Sequence, residues 1–466
     1  MAAIVTDQFR ILNASNFVES VENSSNSYYV FASLPNPAPS TIGFGRTGTD
    51  VANYNSNVIP PVDSINNTNH VSDTMLFGRR IGDANVRRLI KKRTWTSGTT
   101  YEMYRDDYSR SNLSPQTSST NLYDTNYYVM NQNFRVYVCL QNGTTPENTS
   151  GRPSLDEPLF TDLEPRSAGT SGDGYIWKYL FTIDPNSIIK FDSTSFIPLP
   201  QNWSTNNDVA AVRNNAASSG QLKIVTITNR GVGYGTAATY NNVPIKGDGS
   251  GGRCSVTVNA AGKMDSVEIT NGGSNYTFGT VDLNSVGLTN PSGSTDAAFN
   301  VIIPPQNGHG ADIYRELGAN RVLIYSRLEN DSTNPDFIVG NQFSRVGLCR
   351  DPLAFGSDNK LTLQKASAVY AIKLIGAGST TTSFTADSEI TQTVGVGSTA
   401  VGRVINWDAT TGVLKYWQDR RLAISTDGSI PSYGYELLRF TADPGTGGGV
   451  VVGGGSNDLN IDTNFG

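Results

Sequence analysis

Two histidines and three cysteines are the side chains of this sequence that could most readily act as nucleophiles, proton carriers or metal ligands. The cysteines, Cys139, Cys254 and Cys349, are far apart and odd in number, which fits neither a CxxC metal site nor a disulfide framework. His309 stands between glycines in a loop that could expose it, and His70 lies in a polar stretch. No acid or nucleophile beside either forms a recognisable constellation. We therefore expect buried, reduced thiols and histidines with a structural or interface role.

One glycine-rich stretch has a composition suited to a cation. Gly247-Asp248-Gly249-Ser250-Gly251-Gly252 is similar to calcium-binding Gly/Asp repeats, which bind through tandem copies, whereas this sequence has a single copy. The HExxH, GxxxxGKS/T and GxSxG patterns are absent from the sequence. We predict no enzyme activity, no cofactor and no metal ion. A glycan-cleaving carboxylate pair, which a motif search cannot detect, is the open alternative.

The composition indicates a polar, turn-rich β protein. Of the 466 residues only 16% are charged, below the usual quarter, and 47 are glycine, above the average share. Asparagine, serine and threonine are also abundant. A chain of this length is expected to hold about three domains and can bury a large core.

Charge and hydropathy bear on the partners. The net charge of −6 gives no reason to expect nucleic acid, because DNA-binding chains normally present a basic field that replaces counterions. The first seven residues lack the basic start and apolar core of a secretory signal. No window approaches the ~18 consecutive apolar residues of a membrane span. We expect a soluble chain made in a cytoplasm, with neither a nucleic-acid nor a membrane partner.

The stretch around which the chain is organised is Gly172–Pro185. An Asp-Gly turn, in which glycine accepts a positive φ, opens into an alternating run. Four aromatic residues then occupy every second position: Tyr175, Trp177, Tyr179 and Phe181. Pro185 cannot donate to a sheet and ends the run. We predict a strand whose aromatic face is buried in a core or against a partner.

Four short segments occur in an order that points to one family. They are Ala3–Arg10, Lys92–Trp95 followed by Tyr101 and Tyr104, Gly172–Pro185, and Gly340–Gly347. Together they resemble the baseplate wedge subunit family of contractile-tailed phages of the T-even kind. The resemblance covers roughly residues 1–200 and 305–360. None of the segments is a catalytic signature.

The resemblance implies a mainly β, sandwich-like core with a few short helices, and a homodimer within each wedge. The implied neighbours are the other baseplate wedge proteins and the short tail fibre connector. The implied role is that of a structural virion protein of the tail baseplate, made and assembled in the host bacterial cytoplasm. The alternative is a carbohydrate-binding tail or host-surface adhesion protein, suggested by Gly-rich β stretches with Tyr and Trp. Because the family-like segments lie outside those stretches, the second interpretation survives only for 215–303 and 366–425.

The sequence also predicts a core interrupted by two inserted β modules. Ile224–Tyr234 recurs as Ser266–Tyr276, and Ile227 aligns on Ile269, 42 residues later (269 − 227). The predicted domains are the following: 1–214 with 304–365 as a discontinuous β-sandwich core, 215–303 as an inserted Gly-rich β-repeat module, 366–440 as a second inserted small β domain, and 441–466 as a Gly-rich tail that could end in an edge strand.

Periodicity and turn residues predict further elements. We expect a first core strand at Tyr28–Ala32, a hairpin within 123–141 and a capped helical turn over Ser72–Gly78. Val86–Arg93 fits both helical and strand spacing, and its flanking residues favour a strand. From Asn36 to Asn69 the composition predicts a long ordered loop or arm with a binding role.

A local basic cluster lies around the ambiguous segment, with Asp83 as its only acid. Its members are Arg79, Arg80, Arg87, Arg88, Lys91, Lys92 and Arg93. One interpretation is a solvated face. The other is docking onto an acidic neighbouring subunit, because complementary charge fixes the register of an interface. The candidate partner interface consists of Arg87, Arg88, Lys91, Lys92 and Arg93.

Overall fold

The computed structural model describes residues 6–33, 75–216, 220–327, 345–354, 358–361, 370–375, 384–386, 388–395, 398–417, 440–441, 451–452 and 460–462. The loop predicted at Asn36–Asn69, His70 and the first part of Gly340–Gly347 lie outside these ranges. The chain divides into two compact units. Unit 1 comprises residues 1–19 and 86–325, and unit 2 comprises residues 20–85 and 326–466.

The described residues form a mainly β fold, which confirms the fold class predicted from composition and alternation. The α-helices are α1 (Asp7–Glu22), α2 (Pro185–Phe191), α3 (Ala210–Asn215) and α4 (Ile313–Glu316). The strands are β1 (Tyr28–Ser33), β2 (Met75–Ile81), β3 (Val86–Lys91), β4 (Tyr128–Met130), β5 (Arg135–Asn142), β6 (Tyr175–Thr182), β7 (Phe196–Pro198), β8 (Ile224–Arg230), β9 (Ala238–Gly247), β10 (Arg253–Val258), β11 (Met264–Asn271), β12 (Gly279–Val281), β13 (Ala297–Ile302), β14 (Arg321–Ile324), β15 (Arg345–Arg350), β16 (Tyr370–Ile375), β17 (Glu389–Gly395), β18 (Ser398–Asp408), β19 (Val413–Trp417), β20 (Val451–Val452) and β21 (Asn460–Ile461).

Two three-stranded antiparallel sheets build the main core of unit 1. Their strand orders are β14-β3-β7 and β4-β5-β6. The predicted hairpin within 123–141 is β4 and β5. The ambiguous segment Val86–Arg93 contains strand β3, because β14 and β7 pair with it from both sides. Ile90 of one sheet and Trp177 of the other belong to a single buried cluster, so the core is sandwich-like.

Residues 222–303 of unit 1 have a hydrophobic cluster of their own. The 42-residue repeat is visible in its turns. The Asn229 side chain accepts a hydrogen bond from the Gly231 amide (2.9 Å), and Asn271 does the same for the Gly273 amide (3.0 Å). Each turn is followed by a buried tyrosine, Tyr234 or Tyr276, whose hydroxyl accepts a hydrogen bond from a backbone amide.

The two copies of the repeat exchange strands. The first strand of each copy pairs with the last strand of the other, β8 with β13 and β11 with β10. The middle strands β9 and β12 pair with each other. Neither copy therefore completes its own sheet, and the two form one module. Its chain enters and leaves side by side, since Ile224 is the register partner of Ile302.

The described residues of unit 2 form two sheets. One is ordered β15-β1-β2 and contains the predicted first core strand, all of whose residues are buried. The other has six strands, ordered β20-β17-β18-β19-β16-β21, with its own hydrophobic cluster. Its edge strands β20 and β21 come from the Gly-rich tail.

Two local elements differ from the expectations. The capped helical turn predicted over Ser72–Gly78 is wrong: Met75–Ile81 is strand β2, because the buried strand β1 satisfies its backbone groups by antiparallel pairing. Residues 72–74 lie outside the described ranges. Helix α1 was not predicted. Four apolar side chains at helical spacing line its buried side: Ile11, Ala14, Val18 and Val21.

Candidate functional site

Strand β6 lies at the centre of the unit 1 core. Tyr175, Trp177 and Phe181 are at most 1% exposed, whereas Tyr179 is partly buried and packs against the same cluster. The strict alternation is broken because the pairing with β5 shifts register twice, between Val136 and Tyr137 and between Cys139 and Gln141. The aromatic side chains therefore support the core, and they form no open platform for a ligand.

The segment around Trp95 packs onto this strand. The Tyr101 amide donates a hydrogen bond to the Tyr175 hydroxyl (2.8 Å), and the Tyr101 ring meets the Trp177 ring edge-on at 5.8 Å. Tyr175 and Trp177 are stacked with ring centroids 5.3 Å apart. The Tyr104 amide donates to the Cys139 carbonyl on β5 (2.7 Å). Two segments separated by about seventy residues thus share one aromatic cluster.

The five cations of the candidate partner interface all contact groups of the same unit. Lys91 pairs with Asp124 at 3.2 Å, and Lys92 pairs with Asp192 at 2.8 Å. The arginines lie over aromatic rings: Arg87 over Phe191 (5.1 Å to the centroid), Arg88 over Tyr314 (4.2 Å) and Arg93 over Tyr128 (4.4 Å). Arg88 is buried and Lys91 is exposed. Docking of an acidic neighbour here stays a prediction, and Lys91 is the member best exposed to meet one.

A cleft of about 640 Å³ lies in unit 1 between α1 and the start of α4. Phe9 and Leu12 of α1 are half exposed along it. The buried Arg88 guanidinium lies at its wall, 3.8 Å from Glu19, and its Nε has no hydrogen-bond partner among the described residues. The cleft can hold an apolar group, but its buried cation is balanced by Glu19.

His309 forms a buried acid–base pair that sequence inspection missed. Its Nδ1 lies 2.7 Å from Glu316 Oε1, and Glu316 Oε2 accepts the Gly310 amide at 2.7 Å. Tyr104 meets the imidazole edge-on at 4.8 Å. Burial, with the charge of Glu316, raises the pKa of Tyr104 well above its usual value. His309 is 4% exposed, so the glycines around it do not present it to solvent.

The remaining candidates for chemistry are also engaged in structure. The Asp248 carboxylate accepts the Thr277 amide (2.9 Å), and its hydrogen bonds with Thr277 lower the pKa of Asp248 to about 2. Within the described ranges, no three His, Cys, Asp or Glu side chains are placed to hold a metal ion together. Burial raises the pKa of Cys139 well above the usual thiol value, and that of Cys254 to about 11. Both thiols are therefore protonated at neutral pH and are poor nucleophiles.

Neither a family model nor a curated protein matches this chain. Among the described helices, none has the length and apolar character needed to span a bilayer.

Proposed function

We propose that this chain is a structural subunit of the baseplate wedge of a contractile phage tail of the T-even kind, acting through protein–protein assembly. The observation that carries the proposal is the order of the four family-like segments along the sequence. The contact of Tyr101 with Tyr175 and Trp177 supports it, because two of those segments form one core cluster.

The partners in this proposal are a second copy of the chain, the other wedge proteins and the short tail fibre connector. The place of action is the tail baseplate of the virion, with assembly in the host bacterial cytoplasm. No nucleic acid or membrane takes part. The low share of charged residues, 16%, suits surfaces that become covered on assembly.

The location in the particle is tested by gold labelling. Antibodies raised against the purified chain, applied to intact particles of the phage that encodes it, should place gold at the end of the tail distal to the head. Antibodies pre-absorbed with the chain serve as the control and should leave the particles unlabelled. Label on the capsid, label at fibre tips, or absence of the chain from purified particles by mass spectrometry would each contradict the proposal.

A homodimer is the second expected result. Light scattering of the isolated chain at micromolar concentration should give twice the mass of one chain, because the family implies an isologous dimer within each wedge. A strictly monomeric mass under those conditions would argue against it.

A further inference from the structure

Lys178 is a buried lysine on β6 that the assembly role does not explain. Its side chain is 1% exposed, and Nζ donates hydrogen bonds to the Leu163 carbonyl (2.7 Å) and to Asn215 Oδ1 (2.9 Å). Among the described residues, no carboxylate forms an ion pair with Nζ. Burial lowers the pKa of Lys178 to about 8. A substantial fraction of this amine is therefore neutral, and nucleophilic, at mildly alkaline pH.

The amide that faces Lys178 is held in one orientation from both sides. Asn215, the last residue of α3, accepts the lysine at Oδ1 and donates from Nδ2 to Glu164 Oε1 at 2.8 Å. Lys178 needs an acceptor and the Glu164 carboxylate needs a donor. The Asn215 side-chain atom that faces Lys178 is therefore the oxygen, and the one that faces Glu164 is the nitrogen. The carbon Cγ is one carbonyl bond, ~1.2 Å, beyond Oδ1, so it lies within about 4 Å of the lysine nitrogen.

Glu164 completes the set with a base beside the leaving nitrogen. Its other oxygen, Oε2, accepts the Lys223 ammonium at 3.2 Å. The hydrogen bond from Asn215, aided by the Lys223 charge, lowers the pKa of Glu164, so the carboxylate is ionised and can take up a proton. A nucleophile, an electrophilic amide and a base thus lie in a row of hydrogen bonds.

We propose that Lys178 and Asn215 join in an intramolecular isopeptide bond, with Glu164 as the proton carrier. The neutral Nζ attacks Cγ of Asn215 and forms a new carbon–nitrogen bond. Glu164 takes the proton released from Nζ and delivers it to Nδ2, and the bond from Cγ to Nδ2 breaks. The products are one secondary amide and one ammonia molecule. No atom changes oxidation state, and no further reactant is needed.

Three charged groups act on Lys178. Glu164 and Glu316 stabilise the ammonium form of Lys178 and Lys223 destabilises it, while burial dominates. Below pH 8, bond formation should quicken about tenfold per pH unit, because only the neutral amine reacts. His309 contacts Glu316 through its Nδ1, 2.7 Å from Oε1.

The bond would tie the central strand to the helix that precedes the repeat module. Lys178 and Asn215 are 37 residues apart in sequence, so the link closes a loop of that length. A closed loop restricts the unfolded chain, which is the main way a covalent cross-link stabilises a fold. The cross-link therefore fixes the segment through which unit 1 continues into residues 220–303.

Intact-mass spectrometry of the full chain tests the proposal directly. After incubation at pH 9, the wild-type chain should be lighter than its encoded mass by one ammonia. A protease digest should contain a branched peptide that joins Lys178 to Asn215. The Lys178→Met and Asn215→Ala chains should keep the full mass, and Glu164→Gln should react at least about tenfold more slowly.

Lys263→Met is the matched control, because it makes the same change as Lys178→Met at an exposed lysine that contacts none of the reacting groups. It should lose ammonia as the wild type does. Retention of the full mass by the wild-type chain at pH 9 would overturn the proposal. So would an ammonia loss confined to an unbranched Asn-Gly peptide, which marks a succinimide and not a cross-link.

Discussion

Trp177→Ala should lower the free energy of unfolding of unit 1 by about 3–5 kcal/mol, the usual cost of truncating a buried aromatic residue. Trp177 is completely buried. Its ring stacks on Tyr175 and meets Tyr101 edge-on, so truncation leaves a cavity bounded by those two tyrosines. Urea unfolding followed by near-ultraviolet circular dichroism measures the loss. Hydrogen exchange of β5 and β6 peptides assigns that loss to unit 1.

Trp177→Phe is the matched control for this site. The indole Nε1 has no hydrogen-bond partner among the described residues. The Phe variant therefore leaves no acceptor without its donor, and it removes an unsatisfied buried donor. We expect a loss of only about 1–2 kcal/mol, from the smaller ring. If the Ala variant unfolds within ~0.5 kcal/mol of the wild type, Trp177 is not a core residue.

The sequence was most informative where one strand face carries a single kind of residue. The alternation in Tyr175–Phe181 and the Asn-rich turn within 123–141 identify β6 and the hairpin without any knowledge of partners. Tyr179 shows the limit of that argument. The pairing with β5 shifts register twice, once with the extra residue on β6 and once with it on β5, and the local alternation of β6 predicts neither shift.

Long-range strand pairing explains most of the structural features that the sequence did not predict. Met75–Ile81 is a strand because β1, more than forty residues earlier in the chain, pairs with it, and local capping signals carry no record of that partner. The 42-residue period was visible, yet the exchange of strands between the copies was not. Each copy has the same local pattern whether it pairs with itself or with the other.

For the candidate site residues, too, the local sequence did not predict contacts with residues that are distant in the chain. Five clustered cations suggested an interface, but Asp124, Asp192 and the aromatic rings that engage them come from distant parts of the sequence. The pairing of His309 with Glu316 could have been suspected, because Asp312 predicts a short helix that returns Glu316 toward the loop. The row formed by Lys178, Asn215 and Glu164 carries no sequence signal, since three loosely spaced polar residues look like solvated surface.

Gly308→Ala should be among the most damaging small substitutions in the chain. Gly308 has φ +89°, a backbone conformation that costs residues with a Cβ about 1–2 kcal/mol. An added Cβ would also overlap the Ala216 carbonyl oxygen. That atom belongs to the backbone, so no side-chain rotation can relieve the overlap. We expect the variant to be insoluble or to lose about 4 kcal/mol or more of unfolding free energy, measured by urea unfolding.

Gly172→Ala separates the two causes. Gly172 has φ +72°, but nothing lies within 4 Å of the position of its added Cβ, so this variant bears the backbone strain without the overlap. A loss of about 1–2 kcal/mol at Gly172 and a much larger one at Gly308 would assign the difference to the contact with Ala216. The larger distortion should also reach His309 and Gly310, whose bonds to Glu316 depend on the same loop. Equal losses in the two variants would mean that the loop moves aside freely and that the buried pair of His309 and Glu316 does not anchor it.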